Sequence, residues 1–179
     1  MKVSDAIFDI LKQYVDTVFF VSGGQAAFLV DSLGRSGLRY VACLHEQGAG
    51  FAALGYAMQR GGLGVCLVTS GPGATNALTP CAAAWMDSVP VLFISGQARS
   101  DSLIGDTGLR TRGIQEVDII SMVRPVTKRA YQLVFANHII SGDIRDDIWE
   151  LANLCLEGRP GPCWIDIPLD QQSEELEDE

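Results

Sequence analysis

A chain of 179 residues is long enough to bury most of its apolar surface in one globular domain. Its 47% hydrophobic and 20% charged residues are the balance of a soluble α/β protein, and a net charge of -9 excludes nucleic acid, which demands a basic face. No segment offers the roughly 20 uninterrupted apolar residues of a membrane span.

The elements alternate along the chain. The opening stretch MKVSDAIFDILKQYV carries Asp5 and Asp9, which break any signal-peptide core. Ser4 is placed to cap a helix over about 4–15, with Ala6, Ile7, Ile10, Leu11 and Tyr14 at helical spacing. TVFFV is a short strand ending in Ser22-Gly23-Gly24, and a helix over about 26–33 stops at Gly34. LRYVACL is the second strand, with His45 and Glu46 directly after it and a helix over about 47–59. GVCLVT is the third, ending in Ser70-Gly71-Pro72-Gly73 before a helix over about 74–86. PVLFIS is the fourth, ending in Gly96-Gln97.

Residues 98–113 are polar, glycine-bearing and irregular, which marks them as a functional loop. VTKRAYQLV reads as a strand, 143–157 as a helix and PCWIDIP as a final buried strand. The tail SEELEDE has no apolar periodicity, so the expected organisation is one domain over 1–171 and an acidic tail or linker start over 172–179. Cysteines 43, 66, 81, 155 and 163 include no CxxC pair, and three sit in apolar strands; they read as reduced structural thiols in a cytoplasmic protein.

Strands alternating with helices, several of them apolar throughout, predict a doubly wound, mostly parallel sheet with helices on both faces. In such sheets ligands bind outside the carboxyl ends of the strands. Residues 22–24, 45–47, 70–73 and 96–97 all fall on that edge and can converge on one ligand.

TSGPGATN is a strand–glycine loop–helix junction with Asn76 in the first helical turn, suited to close backbone approach of a ligand. It matches neither the dinucleotide nor the P-loop fingerprint. His45 and Glu46 are adjacent in sequence, and neighbouring strand residues face opposite ways, which argues against a direct relay between them. Glu46 has two readings. One is an acid at a helix start, stabilising the macrodipole by roughly 0.3–1 kcal/mol. The other is a carboxyl pressed against the small residues of GAGFAALGYA, where burial raises its pKa and lets it share a proton. His138 and the acids of SGDIRDDIWE read as a solvated helix face, and Trp85, Trp149 and Trp164 as core or interface. No metal-ligand cluster and no nucleophile elbow is present.

HEQGAGFAALGYA, GVCLVTSGPGATNALT, AAAWMDSVPVLFISGQ, IQEVDIISMVRPVTK and GRPGPCWIDIP together resemble the N-terminal pyrimidine-binding domain of thiamine-diphosphate enzymes, in the acetolactate synthase large-subunit group. The resemblance runs from about residue 3 to 171. It implies a flavodoxin-like thiamine-diphosphate-binding fold and gives Glu46 the catalytic role. In that family the equivalent glutamate hydrogen-bonds N1′ of the aminopyrimidine and promotes the tautomer that takes the C2 proton of the thiazolium ring. The activated carbon then attacks a 2-keto acid such as pyruvate, which loses CO2 and passes its remaining carbons to an acceptor. Ser22, Gly23 and Gly24 match the loop beside the pyrimidine, and Ser70, Gly71, Pro72 and Asn76 a second wall. Gln97 and Gln115 match glutamines at the substrate entrance, and Arg159 an arginine that contacts FAD in flavin-containing members.

The resemblance also implies Mg²⁺ held by a separate diphosphate-binding domain, whose Gly-Asp-Gly…Asn signature these residues lack. The expectation is therefore an excised domain or fragment that is inactive alone, with the active site completed by a partner subunit in a homodimer or tetramer. Small residues around 48–53 and 82–84 point to helices packed against that second copy. Several positions depart from the synthase pattern. VSGG lacks the usual proline, GDTGLRTRGIQE is longer and more basic with Ile114 for a phenylalanine, and Leu54 replaces an aspartate. These suggest the alternative of a relative that transfers a two-carbon unit to a nucleotide-linked keto-sugar in surface-polysaccharide synthesis. A non-catalytic interaction domain that kept the fold is the remaining alternative.

Overall fold

The computed structural model describes residues 1–133 and 143–176. Six strands form one sheet in which every pairing is parallel: β1 (Thr17–Phe20), β2 (Arg39–Ala42), β3 (Gly64–Val68), β4 (Val91–Gln97), β5 (Arg129–Gln132) and β6 (Cys163–Pro168). Their order across the sheet is β2-β1-β3-β4-β6-β5. Each expected strand forms, β5 over only the central residues of VTKRAYQLV.

Period-2 alternation divides the strand side chains between two cores. Val18, Phe20, Val65, Leu67, Leu92, Ile94, Ile165 and Ile167 face α1 (Val3–Leu11), α2 (Ala27–Arg35) and α6 (Ile144–Leu156). Cys66, Val68, Phe93 and Trp164 face α3 (Glu46–Arg60), α4 (Pro72–Asp87) and α5 (Ile119–Val123). A last short helix, α7 (Leu169–Gln172), follows β6. Covering both faces explains why these strands are apolar at nearly every position.

Close approaches hold the second layer down. A Cβ on Gly64 would lie 2.2 Å from the Ala53 carbonyl oxygen, so α3 sits almost directly on β3. A Cβ on Gly50 would lie 2.3 Å from Pro80 Cγ, so α3 and α4 touch through a glycine and a proline. Part of the small-residue face expected to meet a second copy is thus consumed inside the chain.

Several other expectations change. Ser4 does not cap α1; the helix begins one residue earlier, and Ser4 is buried within it, accepting a hydrogen bond from the Ser32 hydroxyl at 2.9 Å. Instead the Asp5 carboxylate reaches back to accept from the Lys2 backbone N–H. Trp164 is a core residue stacked on Phe93 at 5.1 Å, whereas Trp85 and Trp149 are exposed. Asp147 is buried, so the acids of that helix do not all face solvent; His138 lies outside the described residues.

Residues 172–176 of the tail pack against the domain. Gln172 is fully buried, the Leu176 N–H donates to the Met1 carbonyl, and the Val3 N–H to that of Glu174. All five cysteines are free thiols, and burial pushes those of Cys66 and Cys81 up. Among the described residues no helix is long and apolar enough to cross a membrane. Gly64→Ala should force α3 off the sheet and lower stability by about 1–3 kcal/mol, measurable by urea unfolding.

Candidate functional site

The chain leaves β1 toward one side of the sheet and then returns past it to β3, so the winding direction reverses between those neighbours. A crevice opens at such a switch point, at the carboxyl ends of the strands. The loop after β1 holds Ser22, Gly23 and Gly24; the loop after β3 holds Thr69, Ser70 and Gly71. They meet where a Cβ on Gly23 would lie 2.5 Å from Thr69 Cβ. Gly24 faces open space instead, with nothing within 4 Å of its would-be Cβ.

Glu46 enters from the next loop. His45 caps α3, its Nδ1 accepting from the Gln47 N–H at 3.2 Å, which leaves Glu46 as the first helical residue. The Asn76 side-chain amide donates to Glu46 Oε2 at 2.9 Å. Oε1 stands 3.5 Å from where a Cβ on Gly73 would be. The half-buried carboxylate therefore lies between the first turns of α3 and α4, where unpaired backbone N–H groups concentrate positive partial charge. Helix capping and ligand chemistry are compatible here, because one oxygen is engaged by Asn76 and, among the described residues, no donor holds the other. His45 is spent on its cap and forms no relay with Glu46.

Ser70 is 1% exposed and its hydroxyl has no hydrogen-bond partner among the described residues, although buried polar groups are nearly always paired. Gly71 takes φ 57° at the cap of α4, with Pro72 at the first helical position. A Cβ there would lie 2.2 Å from the Gln115 carbonyl oxygen. The segment after β4 thus rests its backbone on Gly71. Gln115 is exposed and itself adopts φ 57°, an uncommon conformation for a side-chain-bearing residue.

Gln97 has a different setting from an entrance residue. It is 1% exposed; its Nε2 donates to the Val117 carbonyl at 3.1 Å and to Asp166 Oδ2 at 3.0 Å, while its Oε1 accepts from the Ala98 N–H at 2.9 Å. Asp166, which the sequence reading passed over, is fully buried on β6. It also accepts from the Ser95 hydroxyl at 2.5 Å and from the Gln132 amide at 2.8 Å. Burial pushes its carboxyl up to about 6, against the lowering effect of those bonds. The signal was available: one acid within the apolar run PCWIDIP. Glu116 was missed too; it is buried and accepts from the backbone N–H groups of Ile104, Arg112 and Gly113.

Arg159 is not brought to this cluster. It precedes β6, at the amino edge of the sheet, where its Nε donates to the Ser88 hydroxyl at 2.7 Å. There it lines a cavity of about 480 Å³ with Trp85, Met86, Lys128 and Pro160. Among the described residues no group of three or more His, Cys, Asp or Glu is placed to hold a metal ion.

Residues 1–122 match the family model described as "Thiamine pyrophosphate enzyme, N-terminal TPP binding domain". The chain belongs to that family. Among curated proteins it is 44% identical over 163 residues to the acetolactate synthase large subunit of Corynebacterium glutamicum, covering 90% of this chain and 24% of that protein. It is 46% identical over 157 residues to an acetolactate synthase of Mycobacterium leprae, covering 87% and 23%. To the acetolactate synthase isozyme 2 large subunit of Escherichia coli it is 40% identical over 160 residues, covering 89% and 27%. The chain thus spans about a quarter of the length of these relatives.

The residues present fit the family's cofactor. A heteroaromatic ring with a basic nitrogen needs a carboxyl with a free oxygen, a nearby unsatisfied hydroxyl and side-chain-free walls. Glu46, Ser70, Gly24 and Gly73 supply them.

Asp166 gives this edge a pH dependence with a definite sign. Because its folded pKa exceeds the ordinary 3.8, the folded state holds the proton more tightly, and its contribution to stability falls as pH rises from about 4 to about 6. Asp166→Asn should remove that fall, making the variant gain on the parent by on the order of 2–3 kcal/mol across this window, as read by urea unfolding at each pH.

Proposed function

We propose that the chain is the pyrimidine-binding, cofactor-activating part of a thiamine-diphosphate-dependent carboligase that decarboxylates a 2-keto acid such as pyruvate. The observation that carries this reading is the Glu46 carboxylate, held on one oxygen by Asn76 at the switch-point crevice, with no donor among the described residues on the other. Thiamine diphosphate, when bound, supplies a carbon nucleophile that stores the electrons released on decarboxylation. The work of this chain is to hold a proton at one atom. Glu46 Oε1 shares a proton with N1′ of the aminopyrimidine, and Asn76 keeps the carboxyl from turning away.

Ser70 and the backbone around Ser22–Gly24 and Gly71–Pro72 line the ring. Gln115, held at Gly71, faces the substrate. The diphosphate and Mg²⁺ fall to another part of the protein or a partner subunit, in a dimer or tetramer. In the amino-edge cavity, Trp85 offers a ring face and Arg159 a cation, which is where an FAD would touch this chain. It has no part in the proton transfer. The relatives reported above are acetolactate synthases, which favours a keto-acid acceptor over a keto-sugar and a catalytic over a purely interacting domain.

Glu46→Gln, in the complete protein, should slow exchange of the thiazolium C2 proton by about 10²–10³-fold while leaving the folded structure intact. Exchange followed by NMR in deuterated buffer reads this directly, and a wild-type rate in the variant refutes the assignment. Asn76→Ala should give a smaller loss, roughly tenfold, since it frees the carboxyl without removing it.

A further inference from the structure

Asp166 takes no part in the proton transfer proposed above, yet burying a carboxyl is costly unless its oxygens are well supplied with donors. Here they are. Ser95, Asp166 and Gln132 stand side by side across β4, β6 and β5, because the register pairs Asp166 with both neighbours. Gln97 lies two residues beyond Ser95 on the same face. Beneath this polar row is the Phe93–Trp164 stack, and the Trp164 indole N–H donates to the Ser95 hydroxyl at 2.8 Å.

The Gln97 amide closes a loop. Its oxygen takes the N–H of Ala98 and its nitrogen the carbonyl of Val117, so one side chain clasps both ends of residues 98–117. Within that segment Glu116 gathers three backbone N–H groups, and the neighbouring Gln115 carbonyl packs on Gly71. An amide can flip, exchanging its donor and acceptor ends. A flipped Gln97 would aim its oxygen at the Val117 carbonyl and at the Asp166 carboxyl, and its NH2 at the Ala98 N–H. Asp166 therefore adds a second acceptor that forbids the flip.

We infer that Asp166 is a positioning residue for the segment 98–117: it locks the Gln97 amide, which clasps the segment and seats Gln115 against Gly71. The consequence for substrate binding rests on the functional reading above, whereas the clasp itself does not.

The test compares three substitutions in the complete protein. Asp166→Thr removes the acceptors facing Gln97 and Gln132. It should raise hydrogen exchange across 98–117 by roughly tenfold and KM for the keto acid by roughly tenfold, with kcat within about twofold. Asp166→Asn should restore both, since its carbonyl accepts from the glutamines while its NH2 faces Ser95. Ser95→Ala, which loosens the same row without touching Gln97, should lower the unfolding midpoint but leave segment exchange and KM unchanged. If Asp166→Thr fails to fold, Gln97→Met, which keeps the volume and drops the amide, should give the same two rises. Unchanged segment exchange in a folded Thr or Met variant, an Asn variant as impaired as Thr, or an equal KM rise in Ser95→Ala overturns the proposal. Absence of keto-acid turnover in the unsubstituted protein would overturn the functional reading instead, and hydrogen exchange alone would then decide the clasp.

Discussion

Where the loops after β1 and β3 meet, the Gly23 backbone lies against the Thr69 side chain, with room for no other residue at position 23. That apposition follows from the winding reversal that makes β1 and β3 neighbours. It brings the 22–24 loop to the wall formed by Ser70 and Gly71, and it fixes the start of α4. The position of α4 in turn decides where Asn76 points, and hence which Glu46 oxygen is held. A side chain at residue 23 would separate the loops and disperse a site built from four distant stretches of sequence. The chemistry at the crevice is thus downstream of one backbone-to-side-chain contact.

Glycine serves this fold in two ways. At 23, 64 and 96 it permits contact with neighbours only 2.1–2.5 Å from a would-be Cβ, compressing loop on loop and helix on strand. At 71 it supplies the positive φ with which the chain turns into α4 and lets another segment lie across that turn. Larger side chains would cost packing in the first case and backbone strain plus packing in the second.

The sheet was legible because its central strands are largely apolar on both faces and the strands are punctuated by glycine, so their number, sequence positions and carboxyl-end loops could be read off. Glu46, Ser70 and Asn76 could be proposed together because topology alone brings those loops to one edge. The Asn76–Glu46 hydrogen bond was not legible, since it depends on how two helices are phased around their axes. Gln97 was assigned to the entrance from its position at a strand end. Its side chain points inward because it continues the face of Phe93 and Ser95, a parity the sequence contained. Asp166 was hidden by its neighbours: one acid in PCWIDIP does not disturb an apolar pattern. Ser4 misled because a serine near a helix start resembles a cap, while here its hydroxyl meets Ser32.

The separation of Arg159 from Glu46 has an electrostatic consequence. The five residues of β3, at about 3.3 Å each, set the two edges of the sheet roughly 17 Å apart. At an effective dielectric constant near 20, unit charges at that range interact by only about 1 kcal/mol before salt screening. An anion arriving in the amino-edge cavity would therefore barely alter the charge balance at the Glu46 carboxylate. The two edges of this sheet are thus only weakly coupled electrostatically.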